Sequence, residues 1–192
     1  MNIDLWEKIS ILITQGKLEE SINYLESNLA SCKSNWFKSL IGSDFTNDPV
    51  EIAEEINEFI HSCELDFNVR SIYLEMNGFD INPDRWYFDF FAYDTYAEDA
   101  EDLDWLSDWD SEIWPEITLE GLEEIQNDFD WYNKNSGFND ALAQEANEYA
   151  VLLVMCKFAN LIGKAVATDK IKKGIPVLAT AHDFDIIPRF IT

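Results

Sequence analysis

Positive charge is the property that this sequence has least of. Its 192 residues include 13 Lys and Arg against 38 Asp and Glu, and the formal net charge at pH 7 is −25. A protein with this charge repels phosphate backbones and anionic membrane surfaces, and it attracts cationic molecules. We therefore expect a basic protein as the partner, and we expect binding to neither nucleic acid nor membranes.

The motifs that hold metals and phosphates are also lacking. Cys32, Cys63 and Cys156 lie far apart, and neither CxxC nor HExxH occurs, so a zinc site is not expected. The few glycines form no GxxxxGK or GxGxxG phosphate loop. We expect buried, reduced thiols, as in a cytoplasmic protein, and no cofactor.

Calcium is the one metal for which the sequence offers many suitable oxygen ligands. Asp108, Asp110 and Glu112 match positions 1, 3 and 5 of an EF-hand loop. Positions 6 and 12 require Gly and Glu but hold Ile113 and Leu119. The match fails where the loop geometry is strictest, so no metal site is expected.

A secretion signal and a long apolar run are missing too. The N-terminus MNIDLWEK carries an acid at position 4 and no basic region, which is unlike a signal peptide. No uninterrupted apolar run reaches the ~20 residues of a membrane span. These features predict a cytoplasmic location.

Histidine is rare, which limits the catalytic possibilities. His61 and Cys63 are two residues apart on a predicted helix and would not face each other. His182 is followed by Asp183 and Asp185, either of which could orient its ring in an acid–base dyad. We expect a protein that is not an enzyme, and we keep an enzyme that uses His182 with Asp183 or Asp185 as an alternative.

Apolar residues, by contrast, are plentiful enough for a core, at 47% of the chain. Their spacing predicts five helices. Asp48 and Pro49 are suited to the N-cap and first turn of the third helix, and Thr118 to the N-cap of the fourth. The apolar stretch Ala150 to Phe158 predicts that the last helix is buried. The predicted helices cover residues 3–14, 18–29, 49–63, 119–132 and 139–167.

Three stretches are typical of strands. Residues 69–76 and 85–93 predict an antiparallel hairpin, and residues 175–182 predict a further strand, which residues 183–190 could extend. Both faces of the second strand carry aromatic residues, so we expect another part of the chain to cover the face with Tyr87, Asp89, Phe91 and Tyr93.

These elements together predict an α+β fold. In it, N-terminal helices and a small antiparallel β-sheet pack against a long buried C-terminal helix. We expect one domain over residues 1–192, with a helical N-terminal part (1–64) and an α+β core (65–192).

The most unusual stretch is DLDWLSDWDSEIWPE, residues 102–116, which we call the acidic segment. It holds six carboxylates, three tryptophans and no cation. It lies within a longer window, Trp86 to Asn133, that has sixteen acids, five of the seven tryptophans and no Lys or Arg. Charges of one sign repel one another, and such a layout persists more easily when a partner supplies the opposite charge.

Tryptophan anchors interfaces more often than most residues, and surrounding carboxylates speed the association of a basic partner. Trp105 and Trp109 would share one face of a helical turn, with Asp104 and Asp108 in a neighbouring row. Equally, each tryptophan could point into the core while the acids are solvated. The predicted partner-binding residues are Asp102, Asp104, Trp105, Asp108, Trp109, Asp110, Glu112 and Trp114.

Two resemblances suggest what such a protein does. The sequence resembles bacterial immunity proteins of contact-dependent inhibition and other polymorphic toxin systems. The resemblance lies in size, acidity, the missing motifs and the stretches SIYLEMNGFDINPDRWYFDFFAYD and IPVLATAHDFDIIPRF. That resemblance implies a cytoplasmic inhibitor of one cognate basic toxin, often a nuclease. Acidic side chains of the inhibitor would then occupy the sites at which the toxin binds phosphates.

The segment QGKLEESINYLESNL resembles one tetratricopeptide-type helical hairpin, without a second copy at the ~34-residue period. A helical adaptor that uses this helix pair is therefore an alternative.

Overall fold

A computed structural model describes residues 2–97 and 102–192. Its helices are α1 (Ile3–Thr14), α2 (Leu18–Ser31), α3 (Pro49–Cys63), α4 (Glu123–Lys134) and α5 (Ala141–Val166). Its strands are β1 (Ser71–Met76), β2 (Tyr87–Tyr93), β3 (Ile117–Thr118), β4 (Pro176–Ala181) and β5 (Arg189–Ile191). The predicted α+β class is confirmed, because α5 packs against both the sheet and α2.

The sheet is larger than predicted and is mixed rather than antiparallel throughout. Its strand order is β3-β2-β1-β4-β5. The β1–β2 hairpin is antiparallel as predicted, but β4 pairs in parallel with β1. The chain crosses through α5 between these two strands, and a crossover of this length is what a parallel pair requires. The residues after β4 turn back and form β5, antiparallel to β4, instead of extending it.

Local side-chain chemistry sets the helix starts that were predicted well. Asp48 accepts a hydrogen bond from the backbone N–H of Val50, and Pro49 occupies the first turn of α3. Asp140 caps α5 in the same way through the N–H of Leu142. Each cap satisfies a donor that has no partner within its helix.

The predicted N-cap Thr118 and the predicted start of α4 are wrong. Thr118 lies in β3, opposite Tyr87, and α4 begins only at Glu123. Gly121 separates the two, with φ at +102°. A Cβ atom at Gly121 would lie 2.8 Å from the carbonyl oxygen of Asp44, so only glycine fits this turn.

One continuous core runs from Leu5 in α1 to Ile186 near the C-terminus. It lies between the helices and the sheet face that carries Ile72, Leu74 and Met76. Among the free cysteines, Cys63 and Cys156 are buried and Cys32 is half-buried. The N-terminal helices contribute fully buried residues to this core, including Leu25 and Leu29 of α2.

Helix α5 is long and apolar enough, by length and composition, to cross a membrane, and it is the only such helix among the described residues. Its most apolar 18-residue window is 67% buried inside the structure. The core helix of a soluble protein has these properties. Lys157 interrupts the apolar surface of α5 but is buried, and its ammonium group lies 2.7 Å from Oε1 of Glu26 in α2.

Candidate functional site: the acidic segment on the outer face of the sheet

The acidic segment lies against the sheet face that points away from the helical core, which we call the outer face. Tyr73, Tyr93 and Leu178 form a second, smaller apolar cluster on this face. Trp105 and Leu106 of the acidic segment pack against that cluster. The expected cover of the outer face is therefore supplied in part by the acidic segment itself.

Trp105 anchors the first half of the segment. Its ring lies 4.8 Å from the ring of Tyr93 in an edge-to-face arrangement, and its indole N–H donates to the carbonyl of Asp102. The Tyr93 hydroxyl donates to the carbonyl of Leu106 at 2.9 Å. These contacts order a 3₁₀ turn over Asp104–Ser107. The Trp105 ring therefore points toward the sheet.

Backbone pairing holds the middle of the segment along the edge of β2. The N–H of Asp110 donates to the carbonyl of Ala92, and the N–H of Ala92 donates to the hydroxyl of Ser111. The Asp110 carboxylate also accepts a hydrogen bond from the N–H of Asp94 at 2.8 Å. Asp110 therefore has a structural role in addition to its charge.

Trp114 anchors the far end of the segment to the helical side of the molecule. Its ring lies 5.3 Å from the ring of Phe59 in α3, and its indole N–H donates to Oε1 of Glu55 at 2.8 Å. Half-buried and hydrogen-bonded, Trp114 holds the segment in place.

Trp109 is the tryptophan of the segment that stays available. Half of its surface is exposed, and its ring meets Phe91 of β2 edge-on at 5.1 Å. The predicted helical row of Trp105 and Trp109 is wrong, because the 3₁₀ turn ends at Ser107 and the backbone of Asp108, with φ at −122° and ψ at 67°, is not helical. The two rings instead lie over different aromatic residues of β2.

Four carboxylates of the acidic segment have no cationic partner among the described residues. Asp102, Asp104, Asp108 and Glu112 are all exposed. Within the part of the chain that the structure describes, none of the four forms a salt bridge, whereas Arg85 is bonded to Glu116 at 2.9 Å. Of the sixteen acids in the window, Glu98, Asp99 and Glu101 lie outside the described residues.

The outer face adds two more carboxylates beside the segment. Glu75 of β1 lies directly opposite Asp89 of β2, an arrangement in which like charges destabilise a sheet. Burial, together with the charges of Glu116 and Glu75, raises the pKa of Asp89. The acidic surface therefore continues from the segment onto the sheet.

Glu75 also orients His182, a role that the sequence analysis gave to Asp183 or Asp185. Nδ1 of His182 lies 2.6 Å from Oε1 of Glu75, and the Tyr73 hydroxyl donates to Oε2 of the same carboxylate at 2.7 Å. Nε2 of His182 lies 3.6 Å from Oδ1 of Asp183. The hydrogen bond to Glu75 raises the pKa of His182. Glu75 was missed because the parallel pairing of β1 with β4 leaves no local signal in the sequence.

The remaining candidates are placed as follows. His61 is exposed on α3, and its ring is hydrogen-bonded to the carbonyl of Asn57 one turn earlier. Across residues 2–97 and 102–192, no group of three or more His, Cys, Asp or Glu side chains could hold a metal ion. The α1–α2 pair packs most of its apolar residues against the common core, so its inner faces are not open to a partner, whereas Ile3 and Ile11 are exposed.

Comparisons of this chain with protein-family models, with curated proteins and with solved structures find no match. The function must therefore be argued from the surface itself.

Proposed function

We propose that the protein is a non-enzymatic, cytoplasmic immunity protein that binds and neutralises a cognate basic toxin through the acidic segment. One observation carries the proposal. Trp105 and Trp114 fix the segment on the fold, while Trp109 and the carboxylates of Asp104 and Asp108 remain exposed, with no salt bridge to either carboxylate within residues 2–97 and 102–192.

The physical reason is the cost of holding these charges together. Adjacent carboxylates repel one another, and a folded segment keeps them closer than a disordered one would. A basic partner removes this repulsion on binding and gains steered association in addition. Trp109 supplies the aromatic anchor at the centre of the charged surface, and anchors of this kind dominate binding energies.

A nuclease domain fits this surface best among basic toxins. Its substrate groove is built from cations that hold phosphates, and carboxylates at the same spacing bind those cations instead. Inhibition then follows from occupying the groove. It requires no catalytic group on the inhibitor.

The experiment is affinity capture of the tagged protein from its native lysate at low salt, with mass spectrometry and a salt titration. The purified partner then provides dissociation constants for matched variants. Asp104→Lys with Asp108→Lys reverses two charges in the acidic segment. Glu7→Lys with Glu19→Lys reverses two exposed charges on helices α1 and α2 and gives the same net charge.

We expect the segment pair to weaken binding by at least about 100-fold, since each close interfacial charge pair couples by about 1.5–7 kcal/mol. The control pair should change it by less than about 3-fold at physiological salt, because exposed charges more than a Debye length of about 8 Å away are largely screened. Equal losses from both pairs would mean that overall charge, not the acidic segment, attracts the partner. Unchanged affinity in the segment pair would place the interface elsewhere.

A second candidate, an acid–base enzyme, is favoured by one observation, the Tyr73–Glu75–His182 hydrogen-bond chain. A carboxylate that holds one imidazole nitrogen leaves the other free for proton transfer. His182→Ala, which removes an exposed ring, should abolish any such activity without unfolding the protein. If the His182→Ala protein still protects cells from the toxin as well as the wild type does, the ring has no part in neutralisation.

A further inference from the structure

A cavity of about 400 Å³ lies away from the acidic segment, at the end of the sheet where β1 and β4 finish. Its walls come from the start of α1, the N-terminal half of α5, the β1–β2 loop and the turn after β4. Small-molecule sites typically enclose about 300–1,000 Å³. The cavity is therefore large enough for a small ligand or for one long side chain.

Aromatic rings form part of the wall. The rings of Trp6 in α1 and Phe184 after β4 lie 5.4 Å apart, and Phe184 stacks on buried Phe79. Tyr132 of α4 also lines the cavity. The faces of aromatic rings attract cations, most strongly for tryptophan.

The polar part of the wall is acidic. Asp80, Glu148 and Asp183 contribute carboxylates, and His182 lies at the same wall with its Nδ1 held by Glu75. None of the described residues that line the cavity is Lys or Arg. Burial and the nearby charge of Asp183 raise the pKa of Asp80. A bound cation would relieve the cost of keeping these carboxylates close together.

The loops that carry these acids are held in place by specific contacts. The side-chain amide of Asn133 in α4 donates to the carbonyl of Asp80 at 2.7 Å, which ties the β1–β2 loop to the helix. Asp183 adopts a left-handed backbone conformation, with φ at +65°. Asn147, also in the wall, keeps a buried Oδ1 without a hydrogen-bond partner. Backbone strain and unpaired buried polar atoms both collect at functional sites.

We propose that this cavity binds an organic cation, a guanidinium or ammonium group on a short apolar stem. The cationic group lies between Asp80 and Asp183, and the stem lies against Trp6 and Phe184. The cation belongs either to a free small molecule or to a basic side chain within a peptide. This inference does not depend on the toxin proposal, because the acidic segment takes no part in it.

The first test compares two nearly isosteric probes, L-argininamide and L-citrullinamide, by calorimetry and by NMR. Both probes carry the same α-amino group and their side chains match in shape, so the side-chain charge of the guanidinium is what distinguishes them. We expect L-argininamide to bind at least 10-fold more tightly. Equal affinities, or no binding of L-argininamide up to about 10 mM, a concentration ten times the Kd of a complex worth about 4 kcal/mol, would overturn the proposal.

NMR locates the bound probe, because the chain has only two histidines. L-argininamide should move the imidazole resonances of His182 and the indole resonance of Trp6. It should leave the resonances of His61, on the exposed side of α3, unmoved. Equal movement of both histidines would indicate general attraction to an acidic protein and would sink the proposal.

Matched variants give an independent readout. Asp80→Asn and Asp183→Asn each remove one charge at the cavity, while Asp104→Asn removes one charge from the acidic segment. The two cavity variants should weaken L-argininamide at least 5-fold each, and Asp104→Asn should leave it unchanged. Asp183 is exposed, so its variant remains informative even if Asp80→Asn fails to fold. The reverse pattern would assign the cation to the acidic segment.

A third arm separates the two sources of the cation. The capped peptide acetyl-Gly-Arg-Gly-amide carries the same guanidinium within a chain. If the peptide binds as tightly as L-argininamide, the cavity accepts a side chain from a protein. If only L-argininamide binds, the ligand is a free small molecule. Failure of both probes would refute the cavity site and leave the toxin proposal untouched.

Discussion

The buried ion pair between Glu26 and Lys157 allows the sharpest prediction about stability. The Lys157 side chain is only 5% exposed, and it donates to Oε1 of Glu26 at 2.7 Å and to the carbonyl of Ser43 at 2.5 Å. Oε1 of Glu26 also accepts from the N–H of Gly42 at 3.0 Å. The pair joins α2, α5 and the loop between α2 and α3 at one point.

The two single substitutions should differ in cost. Glu26→Gln leaves a buried ammonium without a counter-charge, which costs about 3–5 kcal/mol. Lys157→Met leaves the Glu26 carboxylate, which is 21% exposed and keeps its bond from Gly42, so we expect a smaller cost of about 1–3 kcal/mol. Removing both charges leaves neither unpaired, and the double variant should lie within about 2 kcal/mol of the wild type.

Urea denaturation followed by far-ultraviolet circular dichroism measures all four free energies of unfolding. For a chain of this length, each 1 kcal/mol corresponds to about 2–4 °C in Tm, so Glu26→Gln should melt roughly 6–20 °C lower. If the costs of the single variants simply add in the double variant, the two charges are not coupled and the reasoning fails. A cost below about 1 kcal/mol for Glu26→Gln would show that solvent reaches Lys157.

The same pair predicts the sign of a pH dependence. Burial alone would raise the pKa of Glu26, but the hydrogen bonds from Lys157 and Gly42 and the charge of Lys157 outweigh it and lower the pKa. A carboxyl whose pKa is lowered by folding stabilises the protein above its unfolded-state pKa, near 4.5. This stability is lost as the pH falls through the folded-state value. The difference between wild type and Glu26→Gln should therefore shrink below about pH 4.5.

Three further substitutions test the site and the fold. Trp105→Ala should release the acidic segment from the sheet. Proteolysis within residues 102–116 should then become faster, while the melting temperature of the core changes little. Unchanged proteolysis would show that Trp105 is not the anchor. Gly121→Ala forces a Cβ against the carbonyl of Asp44 and should cost about 1–3 kcal/mol in urea denaturation. A neutral result would mean that this turn shifts freely. Glu75→Gln removes the negative charge from the group that accepts the hydrogen bond of His182 and raises its pKa, so an NMR titration should show a lower pKa for this ring. Glu75→Gln should also remove a contribution to the free energy of unfolding that is present below about pH 6.5 and lost as the pH rises through the folded-state pKa. An unaltered titration of His182 would contradict the observed contact.

The sequence predicted the elements that local chemistry defines. The bounds 3–14 and 49–63 agree with α1 and α3, because apolar spacing and the Asp48–Pro49 start act within a few residues. The predicted start of α4 was wrong because the expected N-cap, Thr118, lies in a two-residue strand and Gly121 forms a turn where the first helical turn was expected. The parallel pairing of β1 with β4 depends on contacts about 105 residues apart, which no local pattern encodes.

The partner-binding site stays a prediction, and the structure shows where its residues lie. All eight predicted partner-binding residues lie in one folded segment, yet the structure divides them by role. The indoles of Trp105 and Trp114 anchor the segment, whereas the indole of Trp109 remains exposed. Only the positions of Tyr93 and Phe59, which are distant in the sequence, decide which indole is buried. Glu75 and Asp80 were not predicted, because the residues that they contact in the fold are also distant in the sequence.

The distribution of cations distinguishes the acidic segment from the helical side of the molecule. The lysines near the C-terminus are paired with acids on the helical side, as in Lys164–Asp44, Lys170–Glu54 and Lys172–Glu64. Those pairs join α3 and its preceding loop to the end of α5 and the residues after it. The described cation nearest the segment in sequence, Arg85, is already bonded to Glu116. Folding therefore pairs several acids of the helical side with lysines of the same chain, whereas Asp102, Asp104, Asp108 and Glu112 form no such pair within the described residues.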